Sequence, residues 1–110
     1  IRVSSTLGRF LEHSRVYAFS NDGNEEIYIG SADWMSRNLD ARVEAIAPVD
    51  DPSVRATLRG ILDTMLADQG HVWDLKPDGT WTRRTRPKDS TEVDAQEQFM
   101  RQALAAAAPK

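Results

Sequence analysis

The sequence predicts an α/β domain, on three observations. Behind Asp51-Pro52, the residues Val54, Leu58, Ile61, Leu62, Met65 and Leu66 recur with the 3.6-residue period of an amphipathic helix. Two pairs of short apolar runs, 13–19 with 27–31 and 72–75 with 81–85, each flank a cluster of turn-forming residues. A further helical stretch over 91–107 closes the chain. The order is helix, three strands, helix, hairpin, helix.

Taken in order, Ser4, Ser5 and Thr6 precede Leu7, Phe10 and Leu11, whose i, i+3, i+4 spacing predicts a short amphipathic helix ending near His13. Residues 13–19 alternate as a strand, with His13, Arg15, Tyr17 and Phe19 on one face. The Asn21-Asp-Gly-Asn-Glu cluster turns the chain into a second strand over 27–31, making a hairpin. Residues 32–40 fit neither period and predict a loop or one irregular helical turn. A third strand over 42–48 stops at Pro48. Asp51 can cap free amides and Pro52 loses no hydrogen bond at the first helical position, so a helix starts there and runs to Gly70. Pro77-Asp-Gly sets the turn of the second hairpin. In the last helix Thr91 and Asp94 have capping-box-like spacing, with Val93, Met100 and Leu104 as the buried stripe.

With 110 residues, 40% hydrophobic and 28% charged, the chain has room for one core and leaves its functional surface shallow. Seventeen acidic against fourteen basic residues give a net charge of −3, which argues against a surface that tracks nucleic acid throughout; any polyanion site is local. The lack of cysteine excludes disulfides, a thiolate nucleophile and a cysteine zinc site. No apolar stretch approaches the length of a membrane span and no leader pattern opens the chain, so a cytoplasmic protein is expected. The start at Ile1 points to a piece of a longer polypeptide, with residues 1–110 as one domain of it.

Two histidines are present. His71, between a helix stop and a strand, reads as an exposed strand-entry residue, whereas His13 lies at a helix-to-strand junction beside Ser14 and Arg15. On spacing alone His13 has a structural reading as well as a chemical one. The chemical reading gains from Gly30-Ser31-Ala32-Asp33 at the end of the next strand. His13-x-Arg15 and Gly30-Ser-x-Asp33 resemble the His-x-Lys and Gly-Ser-x-Asn parts of the phospholipase D superfamily, with Arg15 in place of Lys, Asp33 in place of Asn and Ser20 at the position of the motif's acidic residue. Imidazole can exchange a proton near neutral pH, and guanidinium grips phosphate through paired hydrogen bonds.

A closer resemblance covers nearly the whole chain. Gly8-Arg-Phe-Leu-Glu-His-Ser-Arg15, Tyr28-Ile-Gly-Ser-Ala-Asp-Trp-Met35 and Arg37-Asn-Leu-Asp-Ala-Arg-Val-Glu44 are similar to the C-terminal domain of the long-chain polyphosphate kinases. The resemblance implies one phospholipase-D-like half, a mixed sheet flanked by helices, packed against a similar half in a preceding domain. It implies reversible transfer of the terminal phosphate of ATP to polyphosphate, with Mg2+ bound mainly outside this segment or through phosphate, and through a phosphohistidine on that preceding domain. His13 would be the second catalytic histidine and would meet phosphate; Arg42 would bind nucleotide phosphates. ATP or ADP, polyphosphate, the preceding domains and further copies of the full-length chain are the implied partners, with no nucleic acid and with peripheral association at the inner membrane. Half a site should be inactive alone.

Other residues carry two readings each. Arg42 could instead pair with Asp40 or Glu44, and Arg9, Arg15 and Arg37 could reach phosphate or remain solvated. Trp34 could stack on adenine or lie in the core. Glu12 and Asp33 could meet magnesium through phosphate, although no acidic pair has spacing that demands a metal. The basic run of Arg83, Arg84, Arg86 and Lys88 beside Trp81 supports a rival function, a non-enzymatic polyanion-binding module on a degenerate phospholipase-D-like scaffold. A third reading is a phosphodiesterase half-site that acts by self-association.

Overall fold

The computed structural model describes residues 1–85 and 94–107. Helices and antiparallel strands alternate along the chain, in keeping with the α/β class. They group into two compact units, Glu12–Leu62 and the remainder, Ile1–Leu11 with Asp63–Lys110.

In the unit Glu12–Leu62, strands β2 (Val16–Phe19), β3 (Glu26–Gly30) and β4 (Ile46–Pro48) form one sheet in the order β2-β3-β4. The β2-β3 hairpin pairs Val16 with Ile29 and Phe19 with Glu26. Its turn is built as the Asn-Asp-Gly sequence allows, with Asn21, Asp22 and Gly23 all at positive φ and the Gly23 amide bonded to the Ser20 carbonyl at 2.9 Å. Ile27 and Ala32 are the buried apolar residues of this unit. The helical turn α1 (Ser36–Leu39) occupies the stretch that fitted neither period.

The first predicted strand is shorter than its pattern. Residues 13–15 precede β2, because the bond from the Gly30 amide to the Arg15 carbonyl ends that pairing and Ser31 then donates to the Ala45 carbonyl on the other side. The third strand likewise covers 46–48 rather than 42–48. Over 42–45 the chain is held instead through the Glu44 side chain, and Val43 points fully into solvent.

Helix α2 (Pro52–Ala67) starts as its sequence requires. Asp51 Oδ1 accepts from the amides of Ser53 at 2.8 Å and Val54 at 3.1 Å. The guanidiniums of Arg55 and Arg59 reach back to the carbonyl and carboxylate of Glu25. No residue of α2 is fully buried, and Val54 and Leu66 are 46% and 61% exposed, so the described chain only partly covers the apolar stripe.

In the other unit, β1 (Ser4–Thr6), β5 (Val72–Leu75) and β6 (Trp81–Arg83) form a second antiparallel sheet in the order β1-β5-β6. The β5-β6 hairpin turns at Pro77-Asp-Gly, with Gly79 at φ 84° and its amide bonded to Lys76. Helix α3 (Ala95–Ala107) completes the unit. Asp94 caps it through the Glu97 amide at 3.0 Å; Thr91 and Val93 of the predicted cap and stripe lie outside the described residues. Leu104, expected in that stripe, is 73% exposed.

The expected opening helix does not form. Residues 4–6 pair with 72–74 as a strand, and the Leu7 amide donates to the His71 carbonyl at 2.8 Å. The side-chain amide of Gln96 then meets both main-chain groups of Phe10, each at 2.9 Å. A side chain at Gly8 would strike that amide, its Cβ lying 2.5 Å from the Gln96 carboxamide. The backbone groups that a helix needs are thus spent on partners far along the chain.

Candidate active site

The predicted site residues His13 and Arg42 both fall in the unit Glu12–Leu62, and both are exposed. Two buttressed carboxylates feel their charges, Asp33 that of His13 and Glu44 that of Arg42. Arg15, at the entry to β2, forks onto Asp33, with Nε 2.8 Å from Oδ1 and Nη2 3.1 Å from Oδ2. This bidentate arrangement lowers the Asp33 pKa, first through the Arg15 hydrogen bond, with the charges of Arg15, Arg37 and His13 adding to it against the effect of burial.

The second carboxylate is Glu44. Its Oε2 accepts from the Ser31 hydroxyl, and its Oε1 from Asn38 Nδ2 at 2.8 Å. Ser31 Oγ in turn accepts from the Ala45 amide at 3.0 Å, so one hydroxyl ties the end of β3 to the approach to β4. Gly30 permits that approach: a Cβ there would lie 2.9 Å from Ile46 Cγ1 and 3.0 Å from the Ala45 carbonyl. The Ser31 and Asn38 hydrogen bonds, and then the charges of Arg42 and Arg15, hold Glu44 below the usual carboxylate range. Asn38 is 3% exposed, and its Oδ1 is buried without a hydrogen-bond partner.

His13 therefore acts on Asp33, Arg42 acts on Glu44, and Arg15 acts on both. With the two carboxylates occupied by protein donors, Arg37 and Arg42 donate no hydrogen bond to another described residue and form no ion pair there. The alternative of a pair between Arg42 and Asp40 or Glu44 is not formed. Arg15, Arg37 and Arg42 outnumber Asp33 and Glu44 by one, while the exposed Glu12 and Asp40 flank His13 and Arg42 in sequence. The exposed guanidinium forks of Arg37 and Arg42 suit phosphate oxygens geometrically.

The remaining candidates separate. Trp34 is 79% exposed and tilts against Tyr17 at 6.5 Å between ring centres, so it is not core. Tyr17 is anchored by its hydroxyl, which donates to the Ala32 carbonyl at 2.6 Å. Arg9 lies over the Phe10 ring, 5.3 Å from its centre. In the basic run, Arg83 donates twice to the Gly70 carbonyl, and Arg84 forks onto Asp74 while also reaching Ser4 and the carbonyls of Leu66 and Asp68. These two arginines are structural ties, which removes half of the rival polyanion track; Arg86 and Lys88 lie outside the described residues.

Sequence spacing gave no hint of the roles of Glu44 and Asn38, because their partnership with Ser31 depends on β3 and β4 becoming neighbours. Magnesium does not fit directly here: the carboxylates on which His13 and Arg42 act are both committed to protein donors.

Known proteins resemble this chain over most of its length. The sequence pattern of the family described as Polyphosphate kinase C-terminal domain 2 matches residues 1–96. A polyphosphate kinase of Synechocystis sp. is 51% identical over 105 residues, covering 96% of this chain and 14% of the relative. One from Streptomyces coelicolor is 54% identical over 89 residues, covering 81% of this chain and 12% of the relative. The crystal structure of polyphosphate kinase from Porphyromonas gingivalis superposes with a TM-score of 0.84 at 35% identity, over 96% of this chain and 16% of that one. The chain thus spans about a seventh of the length of the relatives it matches. The family pattern over residues 1–96 and these relatives show that the chain belongs to the polyphosphate kinase C-terminal domain 2 family.

Proposed function

We propose that this chain supplies half of an active site for reversible transfer of the terminal phosphate of ATP to inorganic polyphosphate. One observation carries the reading: Asp33 is paired with Arg15 and Glu44 is held by Ser31 and Asn38, which leaves His13, Arg37 and Arg42 exposed and not tied to either carboxylate by a hydrogen bond. In the forward direction the bond from the γ-phosphorus to its bridging oxygen breaks, ADP leaves, and a bond forms to a histidine nitrogen on a preceding domain. The terminal oxygen of a polyphosphate then takes the phosphoryl group and frees that histidine.

Phosphoryl transfer asks the protein mainly for positioning and charge stabilisation. Arg42 grips nucleotide phosphate oxygens as a planar fork. His13 stabilises charge on the leaving oxygen as a general acid or as an imidazolium. Arg15 positions the site by fixing Asp33, and Trp34 offers an exposed aromatic face to the purine. Magnesium would be held on the phosphates and not by Asp33 or Glu44, and would supply charge screening there. The full-length protein works in the cytoplasm as an oligomer, associated peripherally with the inner membrane; no helix among the described residues is long and apolar enough to cross a membrane.

The test is polyphosphate synthesis from ATP and magnesium by the longer polypeptide carrying this sequence, beside the 110-residue chain alone. The longer polypeptide should accumulate polyphosphate and the chain alone none. Failure of the longer polypeptide to do so overturns the proposal.

A further inference from the structure

Apart from the phosphate-suited cluster, a second group of chemistry-bearing side chains converges where α2 ends and α3 begins. Asp68 follows α2, is 1% exposed, and takes the amides of Gly70 and His71 on Oδ1 at 2.8 and 3.0 Å. Its Oδ2 takes, among the described residues, only the Ala95 amide, at 3.0 Å. Asp94 uses Oδ1 to cap α3, which leaves Oδ2 without a hydrogen-bond donor among the described residues. His71 Nδ1 lies 3.4 Å from that Oδ2, buried and without a hydrogen-bond partner. An imidazole nitrogen and two carboxylate oxygens thus converge, the nitrogen buried and without a hydrogen-bond partner. One ligand atom from each of the three residues lies within 4.8 Å of the other two.

We propose that Asp68, His71 and Asp94 form a structural site for one first-row divalent cation of the zinc type. An imidazole nitrogen with two carboxylate oxygens is a donor set that Zn2+ takes, and bonds of about 2.0–2.1 Å in a tetrahedron set neighbouring ligand atoms about 3.3–3.4 Å apart. The His71 to Asp94 separation matches that edge. Two carboxylates and a neutral imidazole carry a charge of −2, which a divalent ion balances. Arg84, whose charge also acts on Asp68, is forked on Asp74 and hydrogen-bonds Asp68 only at the main-chain carbonyl. The site has an open side for a water as fourth ligand, since the side chains of His71 and Asp94 are 36% and 25% exposed. The ion would fasten the 68–71 turn to the start of α3.

The experiment is equilibrium dialysis of the longer polypeptide carrying this sequence against Zn2+, and against Co2+ for its visible spectrum. It compares wild type with His71→Ala, His71→Gln, Asp94→Asn and His13→Ala. Wild type and His13→Ala should bind one more metal equivalent than the His71 variants, with the absorption of a nitrogen-oxygen Co2+ site. Asp94→Asn should weaken that equivalent at least about 10-fold. Zn2+ should raise the unfolding temperature of wild type but not of His71→Gln, which keeps the reading independent of whether His71→Ala folds. Equal metal content in wild type and both His71 variants, or loss of the equivalent in His13→Ala instead, overturns the proposal. Because the readouts are metal content, spectrum and stability, the result is separate from whether the polypeptide makes polyphosphate.

Discussion

Asp68→Asn is the substitution whose cost the structure specifies most closely. The carboxylate is 1% exposed and accepts three main-chain amides, two on Oδ1 and one on Oδ2. Burial alone would raise its pKa, but the Ala95, His71 and Gly70 amides, with the charge of His71, outweigh that and hold it below the ordinary value. Asparagine keeps the shape and one acceptor oxygen. If that oxygen stays on Gly70 and His71, the new NH2 faces the Ala95 amide donor to donor, and a buried N–H left without an acceptor costs about 1–3 kcal/mol. The two surviving bonds lose their charge assistance, roughly a further 1 kcal/mol together. A total of about 2–4 kcal/mol is a large share of the 5–15 kcal/mol typical of a domain and corresponds to a fall of roughly 8–16 °C in Tm. Urea and thermal unfolding of the chain, followed by circular dichroism with metal chelated, measure it. A loss below about 0.5 kcal/mol, the range of an uninvolved surface substitution, would refute the bonding account of this turn.

Other outcomes follow from the same contacts. Asp74 is held down to about 2, first by the Arg84 hydrogen bond and then by Ser4. Its folded pKa lies below the unfolded one, so its stabilisation is whole above the ordinary value of 3.8 and is lost as pH falls through about 2. Urea midpoints measured over this acid range should therefore fall less steeply for Asp74→Asn than for wild type; parallel curves would contradict the pairing. Glu44→Ala frees Ser31 and strips the buried Asn38 of its acceptor. Polyphosphate synthesis by the longer polypeptide should drop about 10- to 100-fold through misplacement of Arg42 and the end of β3, with the helical circular dichroism retained. Unchanged turnover would show that Glu44 positions nothing.

Local signals carried much of the fold. Asp51-Pro52, the Asn21-Asp-Gly cluster and Pro77-Asp-Gly each fix their element within a few residues, and each appears where its chemistry placed it. Misreadings arose where a partner lies far along the chain. The apolar spacing of Leu7, Phe10 and Leu11 is real, yet Gln96 and His71 take the main-chain groups that a helix at that point would use. Helical period likewise told which residues of α2 share a face, but not how much of that face the described chain covers. Within the candidate site, His13, Arg15, Asp33 and Arg42 were legible as residue types in motifs. The bracing of Ser31 and Asn38 by Glu44 was not, because it exists only once β3 and β4 meet. His71 read as a surface residue, since Asp94 is brought to it by tertiary structure alone.

The central claim is that His13 takes part in phosphoryl transfer without being the residue phosphorylated. The most direct measurement is ATP-dependent polyphosphate synthesis by the longer polypeptide, wild type against His13→Ala, with phosphohistidine trapped and the fold checked by circular dichroism. Turnover should fall about 10²- to 10⁴-fold, the range for loss of a general acid, while phosphohistidine still forms on the preceding domain. Near-wild-type turnover in the folded variant, or loss of the phosphohistidine itself with His13, would contradict the account.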